Sequence, residues 1–467
     1  MSILKTIKGW FAMLFMSKAK EEFEIESIIS GQMSAWVQEC VNIYQGNPCW
    51  LDPDDNIDTV NFAKSVCSEV ARLTMMGVGI TVDGSARADW LMEQINAIYP
   101  KIREWVEYGC AYGTIILKPN GNTVDLYTPD RFEVTHATNG NIDGIVFYDQ
   151  EQVGKKWYTR LEYHRFVNDV YVITNKCYVG ESPNDTKTRI DISMTPWSDL
   201  SEEAGITNLD KPLFGVLRTP NANNIDMDSP LGLPVFSEAI QELRDLDIAY
   251  SRNSEEIADS KRTVLADESM LVGAGVPVNK TLASAQANAK KIGLPKMIKM
   301  VHGSGVDNYY QEINPTLNTD TRLTGINALL SQIGFKVGFS NGYFVFNEKT
   351  GMITATQVES DDRRTIHFIK DVRDKLQACL DGLIYAMDVF ATLYGFAPAG
   401  AYEVVYDFGD ITYNREEDRA RWWGYVQANK VPAWMFFVKF EGMSEEDAKA
   451  MVQEAQPNTP RLFGGEE

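Results

Sequence analysis

The chain has 467 residues, 44% of them apolar and 23% charged, and a net charge of −21. That composition excludes a disordered chain and leaves room for two or three domains around sizeable cores. The surplus of acid argues against a protein that grips nucleic acid, because such binding draws on Lys and Arg displacing counterions, but it suits a surface that nucleic acid passes without sticking.

Six cysteines (Cys40, Cys49, Cys67, Cys110, Cys177, Cys379) are scattered without a C-x-x-C pair, and four histidines lie far apart. The pattern reads as buried free thiols in a reducing compartment rather than a zinc site or a disulfide frame. No run reaches the roughly 18 apolar residues of a membrane span. At the N-terminus Ile3, Leu4, Ile7, Trp10, Phe11, Leu14 and Phe15 share a helical face, lysines stand at 5, 8, 18 and 20, and no small-residue cleavage site precedes the acidic EEFEIE. This stretch, 1–24, reads as an amphipathic helix docked on the protein's own body or a neighbour, with membrane-surface binding as the alternative.

From about 25 to 108 the pattern is helical, with Phe62, Val66, Val70 and Leu73 on one face and Trp90, Ile95, Ile98, Ile102, Trp105 and Val106 on another. Gly77, Gly79 and Gly84 punctuate a short strand, GITVDG. From Gly109 the texture turns to β: five short segments rich in β-branched and aromatic residues, separated by NG- and DG-like turns, predict one antiparallel sheet across about 110–180. A polar, loop-like stretch follows. A second long helix is expected from Val235 to about Val264, with a narrow stripe of Val235, Ala239, Leu243, Leu246, Tyr250 and Ile257 and many exposed acids. Residues 264–315 read as a small insert of mixed structure. A third helix, about Asn318–Phe335, leads back to a glycine-marked turn at Ser340-Asn341-Gly342.

The rest is organised around Thr354–Tyr394. Ile366, Ile369, Val372, Leu376, Leu380, Leu383, Met387, Phe390 and Tyr394 recur in steps of three and four, one helical face. Thr354 with Gln357, or Thr356 with Glu359, offers a capping box; Gly395 and Pro398 mark the stop. About 39 residues at roughly 1.5 Å each make a rod of roughly 58 Å, too long to bury its face in one small core. From Leu383 it is apolar nearly all round, which predicts burial on several sides. Beyond it come a strand, YEVVYDF, a helix from about Arg415 to Ala428, and a last helix capped by Ser444.

Chemistry-bearing motifs are missing. A phosphate-cradling loop needs G-x4-G-K-S/T, and the nearest stretch, AGVPVNKT, puts Ala274 and Asn279 where the glycines belong. No G-x-S-x-G or H-E-x-x-H occurs. Acid pairs such as Asp361/Asp362 read as helix-start charges. No catalytic residue, metal or cofactor is assigned, and the chain reads as a non-enzyme.

Four strings in order carry a resemblance. They are YTRLEYH (158–164), SPLGLPVFSEAIQELRDLDIAYSRNSEEIADSK (229–261), GFSNGYFVFNEKTGMITATQVESDDRRTI (338–366), and DFGDITYNREEDRARWWGYVQANKVPAWMFFVKFEGMSEEDA (407–448). Together these resemble the portal (head–tail connector) proteins of tailed bacteriophages, of the type found in long-tailed phages of Gram-positive hosts. The resemblance implies an α+β portal fold assembled as a ring, usually of twelve copies, at one capsid vertex of the virion. It places a mixed α/β wing at 25–234, stem helices at 235–263 and 316–337, and a small α/β clip at 264–315. It also places a tunnel loop at 338–354, a spine helix at 355–395, a wing strand and turn at 396–413, and a helical crown with its tail at 414–467. It implies double-stranded DNA passing through the channel, with terminase, major capsid, scaffolding and head-completion proteins as partners, no membrane, and assembly in the host cytoplasm. Within it, Asn341, Tyr343, Asn347 and Lys349 are the expected DNA-facing loop residues, Lys349 being open also to a salt bridge with the partner subunit's Glu348. Glu238, Glu242, Asp245, Glu256 and Asp259 are the expected lumen charges of the stem. The alternatives are a DNA-processing enzyme of the packaging machinery and a membrane-associated structural protein using the N-terminal helix.

Overall fold

The computed structural model describes residues 17–51, 54, 56–121, 123–183, 185–260, 263–267, 298–301, 310–313, 317–346, 355–409, 415–428, 430–441 and 443–454. The chain is mixed α and β and divides into two compact units, residues 1–75 with 80–406, and residues 76–79 with 407–467.

In the first unit a helix at 17–23 is followed by α1 (Gly31–Tyr44), α2 (Phe62–Thr74), β1 (Val78–Asp83) and α3 (Ala86–Tyr112). Ser30 and Ser85 cap α1 and α3 by accepting from the backbone amides of Met33 and Ala88. The predicted face of α2 is buried at Val66, Val70 and Leu73. Helix α3 runs through Pro100.

The expected single sheet is two. Strands β2 (Thr114–Asn120) and β3 (Thr123–Tyr127) pair with the distant β10 (Gly215–Arg218) in the order β10-β2-β3. Strands β4 (Phe132–Thr138), β5 (Asn141–Val153), β6 (Lys156–Val167), β7 (Val170–Gly180) and β8 (Thr188–Ile190) form a second antiparallel sheet, with β9 (Glu203–Thr207) also on β7. The break falls at the turn 128–131, where Arg131 N–H donates to the Thr128 carbonyl and Pro129 has no N–H to continue a ladder. The stretch expected to be loop-like after β7 thus supplies two short strands. Asn139–Gly140 and Asn168–Asp169 both hold consecutive positive φ values, the geometry of two-residue hairpin turns.

Period-two alternation gives the larger sheet two faces. One carries Phe132, Val134, Ile145 and Phe147, packed with Met33, Val37 and Val41 of α1 and with Tyr127, Phe214, Leu231 and Leu233. The other carries Val146, Tyr148, Leu161 and Tyr163 beneath Ala19, Phe23 and Ile25, so residues 17–25 dock on the chain's own sheet.

Helix α4 (Ile240–Asp259) is shorter than predicted at both ends. A 3-10 turn, Ser237–Ala239, precedes it, and β11 (Thr263–Asp267) begins soon after. Strand β11 lies between β12 (Ile298–Val301), to which it is parallel, and β13 (Tyr310–Ile313), to which it is antiparallel. Helix α5 (Thr319–Val337) returns alongside α4.

The long helix is α6 (Ala355–Tyr394), 40 residues. Ile369, Val372, Leu376, Leu380, Leu383 and Met387 are buried, as the periodicity predicts. It crosses β10 closely: a Cβ on Gly215 would fall 2.1 Å from the Cys379 carbonyl oxygen, so only glycine fits there. Its last turn is an exception to the predicted all-round burial, because Leu393 and Tyr394 are 51% and 58% exposed. The Phe396 amide donates to the Ala391 carbonyl with Gly395 at φ +68°, which closes the helix. The proposed caps Thr354, Thr356, Gln357 and Glu359 have side chains outside the described residues. By length and mean hydropathy (1.3) the part Arg363–Tyr394 could cross a bilayer, although its stripe is packed against β10, β2 and α2. Strand β14 (Glu403–Phe408) pairs with β1.

The second unit contains α7 (Arg415–Gln427), α8 (Ala433–Glu441) and α9 (Glu445–Glu454). Ser444 caps α9: its hydroxyl accepts from the Asp447 amide at 3.1 Å and donates to the Asp447 carboxylate at 2.7 Å. Phe436 and Phe440 are buried beside Trp422 and Trp423.

Candidate functional site

The candidate site is the hairpin α4–α5, the turn that follows it, and the start of α6. Leu243, Leu246, Ile326, Leu330, Ile333 and Val337 are buried in the hairpin. Two ion pairs lie along it. Lys336 Nζ is 2.6 Å from Glu242 Oε1 and also donates to the Glu238 carbonyl. Arg322 pairs with Glu256, which accepts in addition from the Asn318 amide. Positions 242 and 256 on one helix match 336 and 322 on the other at equal spacing, so the pairs fix the register of an antiparallel hairpin. Of the five expected lumen charges, Glu238, Asp245 and Asp259 are exposed, whereas Glu242 is buried and Glu256 half-buried in these pairs. Tyr250 and Ile257, the outer part of the predicted stripe, are 47% and 50% exposed.

The turn 338–346 is tied to three helices. Gly338, at φ +120°, lets the chain leave α5, and a Cβ there would come within 2.7 Å of the Phe368 ring. The Ser340 amide donates to Thr365 Oγ1 on α6 at 2.9 Å, and Ser331 on α5 donates to the Asn341 side-chain oxygen. Asn327 of α5 accepts from the Phe346 amide at 3.0 Å. Phe344 packs edge-on to Phe62 of α2 and to Phe339, which faces Phe368.

Tyr343 is 36% exposed, and its hydroxyl donates to Glu69 on α2, which also holds Arg72 through two 2.7 Å bonds. The Arg72 hydrogen bonds outweigh burial and hold the Glu69 carboxyl below its usual range, while burial and Glu69 push the Tyr343 phenol up. The predicted loop residues therefore part company. Asn341 and Tyr343 belong to an anchored base, and Asn347 and Lys349 lie outside the described residues. Phe346, 69% exposed, is the last described residue before them.

Sequence reasoning missed two arginines that hold α6. Arg87, 1% exposed, donates to Asp388 Oδ1 (2.7 Å), the Asp388 carbonyl (2.6 Å), Thr392 Oγ1 (3.0 Å), and the carbonyls of Ala397 and Pro398. Arg373 closes the end of α2 by donating to the Thr74 and Leu73 carbonyls at 2.9 and 3.1 Å. The one signal for Arg373 is its position beside Val372 on the buried stripe.

The YTRLEYH strand also holds a buried polar chain that its sequence did not advertise. Arg160, Glu162 and His164 alternate onto one face of the sheet. Glu162 contacts Lys118, Arg160 (2.9 Å) and His164 Nε2 (2.7 Å), and Arg160 reaches Asp149 at 2.7 Å. Burial alone would raise the Glu162 carboxyl, but Lys118, Arg160 and His164 together hold it well below the usual range. Burial lowers His164 against the pull of Glu162. The Tyr171 hydroxyl accepts from the Leu213 amide, so its proton points to His164 Nδ1 at 2.8 Å and the Nε2 proton points to Glu162. This arrangement suits a neutral imidazole and a structural role. Among the described residues no group of three or more His, Cys, Asp or Glu is placed to hold a metal.

No family model and no curated protein matches the sequence. Among solved structures, a chain described as "Virion of native gene transfer agent (GTA) particle" aligns over 89% of this chain and 95% of its own. The identity is 13% and the TM-score 0.42. So faint a likeness of backbone course says nothing by itself about what this chain does.

Proposed function

We propose that this chain is one subunit of a portal-type ring of a phage-like virion, a channel for double-stranded DNA at one capsid vertex and not an enzyme. The observation that carries the reading is the run of connected parts. An ion-paired helical hairpin bears a small β module between its helices, then returns through an anchored turn into a 40-residue helix. That is the order the sequence resemblance implies. Repeating such a subunit around a closed axis gives heterologous interfaces along the hairpin, where Tyr250 and Ile257 are exposed. The net charge of −21 per copy makes the wall repel phosphate, which lowers friction on moving DNA. Terminase and head-completion proteins dock on residues 264–315 in this reading, and Lys349 is the cation offered to DNA.

Negative-stain images of the purified protein are expected to show annular particles of uniform size with a central hole. Fields of single copies only, at every concentration, contradict the proposal. A DNA-processing enzyme would instead show ATP hydrolysis or Mg-dependent cleavage by the same preparation. Lys349→Ala is expected to leave the rings intact and to change the length or retention of packaged DNA. Unchanged packaging in that variant contradicts the role given to Lys349.

A further inference from the structure

Glu133 lies on β4, on the sheet face covered by the helix 17–23. Its register partner is Val146, which packs with Ala19, Tyr148, Leu161 and Tyr163. It is 1% exposed, and its Oε2 has no hydrogen-bond partner. A carboxylate ionised there gives up its water for nothing equivalent.

The groups on the elements around it are mostly committed. Lys18 pairs with Glu21 and Glu22, Lys176 of β7 pairs with Glu22, and Arg165 of β6 lies over the Tyr163 ring. Thr135 donates to the Tyr163 hydroxyl, the Tyr148 phenol shares the face, and Glu24 and Glu26 follow the helix in exposed positions. Burial pushes the Glu133 carboxyl up to about 7, opposed by the charge of Lys20 on the covering helix.

We propose that Glu133 is a pH-sensitive latch for the N-terminal helix: protonated, it lets residues 17–23 sit on the sheet, and ionised, it drives them off. The docked state then binds more protons than the undocked one. Docking is strongest below the ordinary carboxylate range, weakens as pH rises towards 7, and stays weak above it. The Phe23–Tyr163 contact at 5.1 Å and the Lys176–Glu22 pair act against release. Because residues 1–16 are joined to this helix, the latch sets the tether of the whole amphipathic stretch.

The test is hydrogen–deuterium exchange of the full-length protein from pH 5 to 8, corrected for intrinsic rates and read on the peptide covering 17–23. Wild type is expected to lose protection by up to about 100-fold across that range, the two tenfold steps that lie between pH 5 and about 7. Glu133→Gln is expected to stay protected throughout, with α6 peptides as the control for folding. A flat wild-type profile, or the same slope in Glu133→Gln, overturns the latch. Should Glu133→Gln fail to fold, Lys20→Met carries the test. It is expected to expose the helix further at pH 8 and to change nothing at pH 5, and no change at pH 8 overturns the proposal.

Discussion

Glu162 shows how single residues of this chain take their meaning from partners far away. Two cations and an imidazole converge on it inside the sheet, so losing its charge leaves Lys118 and Arg160 buried with too little anion. Glu162→Gln is expected to cost about 3–5 kcal/mol, read from the urea midpoint at neutral pH. The Glu162 carboxyl is depressed, so its contribution is present above the ordinary carboxylate range and lost as pH falls below it. Wild type should therefore lose stability on acidification below about pH 4.5, and the variant should lose less over the same interval. Equal acid sensitivity in both would remove Glu162 from this role. Arg87 makes a parallel case at the end of α6, where Arg87→Met strands several acceptors at once. That change is expected to lower stability by about 2–4 kcal/mol in the same assay.

At the scale of elements, helices were legible and their contacts were not. The three-and-four spacing of α6 placed its buried face correctly because a helix repeats its own geometry. The last turn, Leu393–Tyr394, has the same composition but stays more than half exposed, with Tyr394 stacked on Phe390 and Phe396. The division into two sheets was hidden because β2 finds its second partner in β10, about a hundred residues away. The acids of α4 were ambiguous for the same reason. Glu242 and Asp245 look alike in sequence, and only the position of Lys336 on α5 makes the first a clamp and leaves the second exposed. Tyr343 reads as a loop aromatic until Glu69, 274 positions away, accepts its proton. The turn 338–346 is thus an anchored hinge base, which Gly338→Ala tests. The added Cβ meets Phe368 in a backbone conformation that disfavours side chains, and a loss of about 1–3 kcal/mol is expected. Faster amide exchange should be confined first to residues 339–346, and exchange unchanged there would show that the turn is not held as described.

At the scale of the whole molecule, the chain combines an acidic composition with a hairpin whose outer stripe, Tyr250 and Ile257, is about half exposed. The proposed ring would account for both: neighbours would cover the stripe, and the acids would line a passage from which phosphate is repelled. The same acidity gives copies a repulsion that salt relieves, so assembly should strengthen between low and physiological ionic strength. The most direct measurement is the particle mass of the purified protein over a concentration series at physiological salt. The account predicts one dominant species at an integral multiple of the 52.5 kDa chain, about 630 kDa for twelve copies. A mass that stays at 52.5 kDa at every concentration and salt would contradict it.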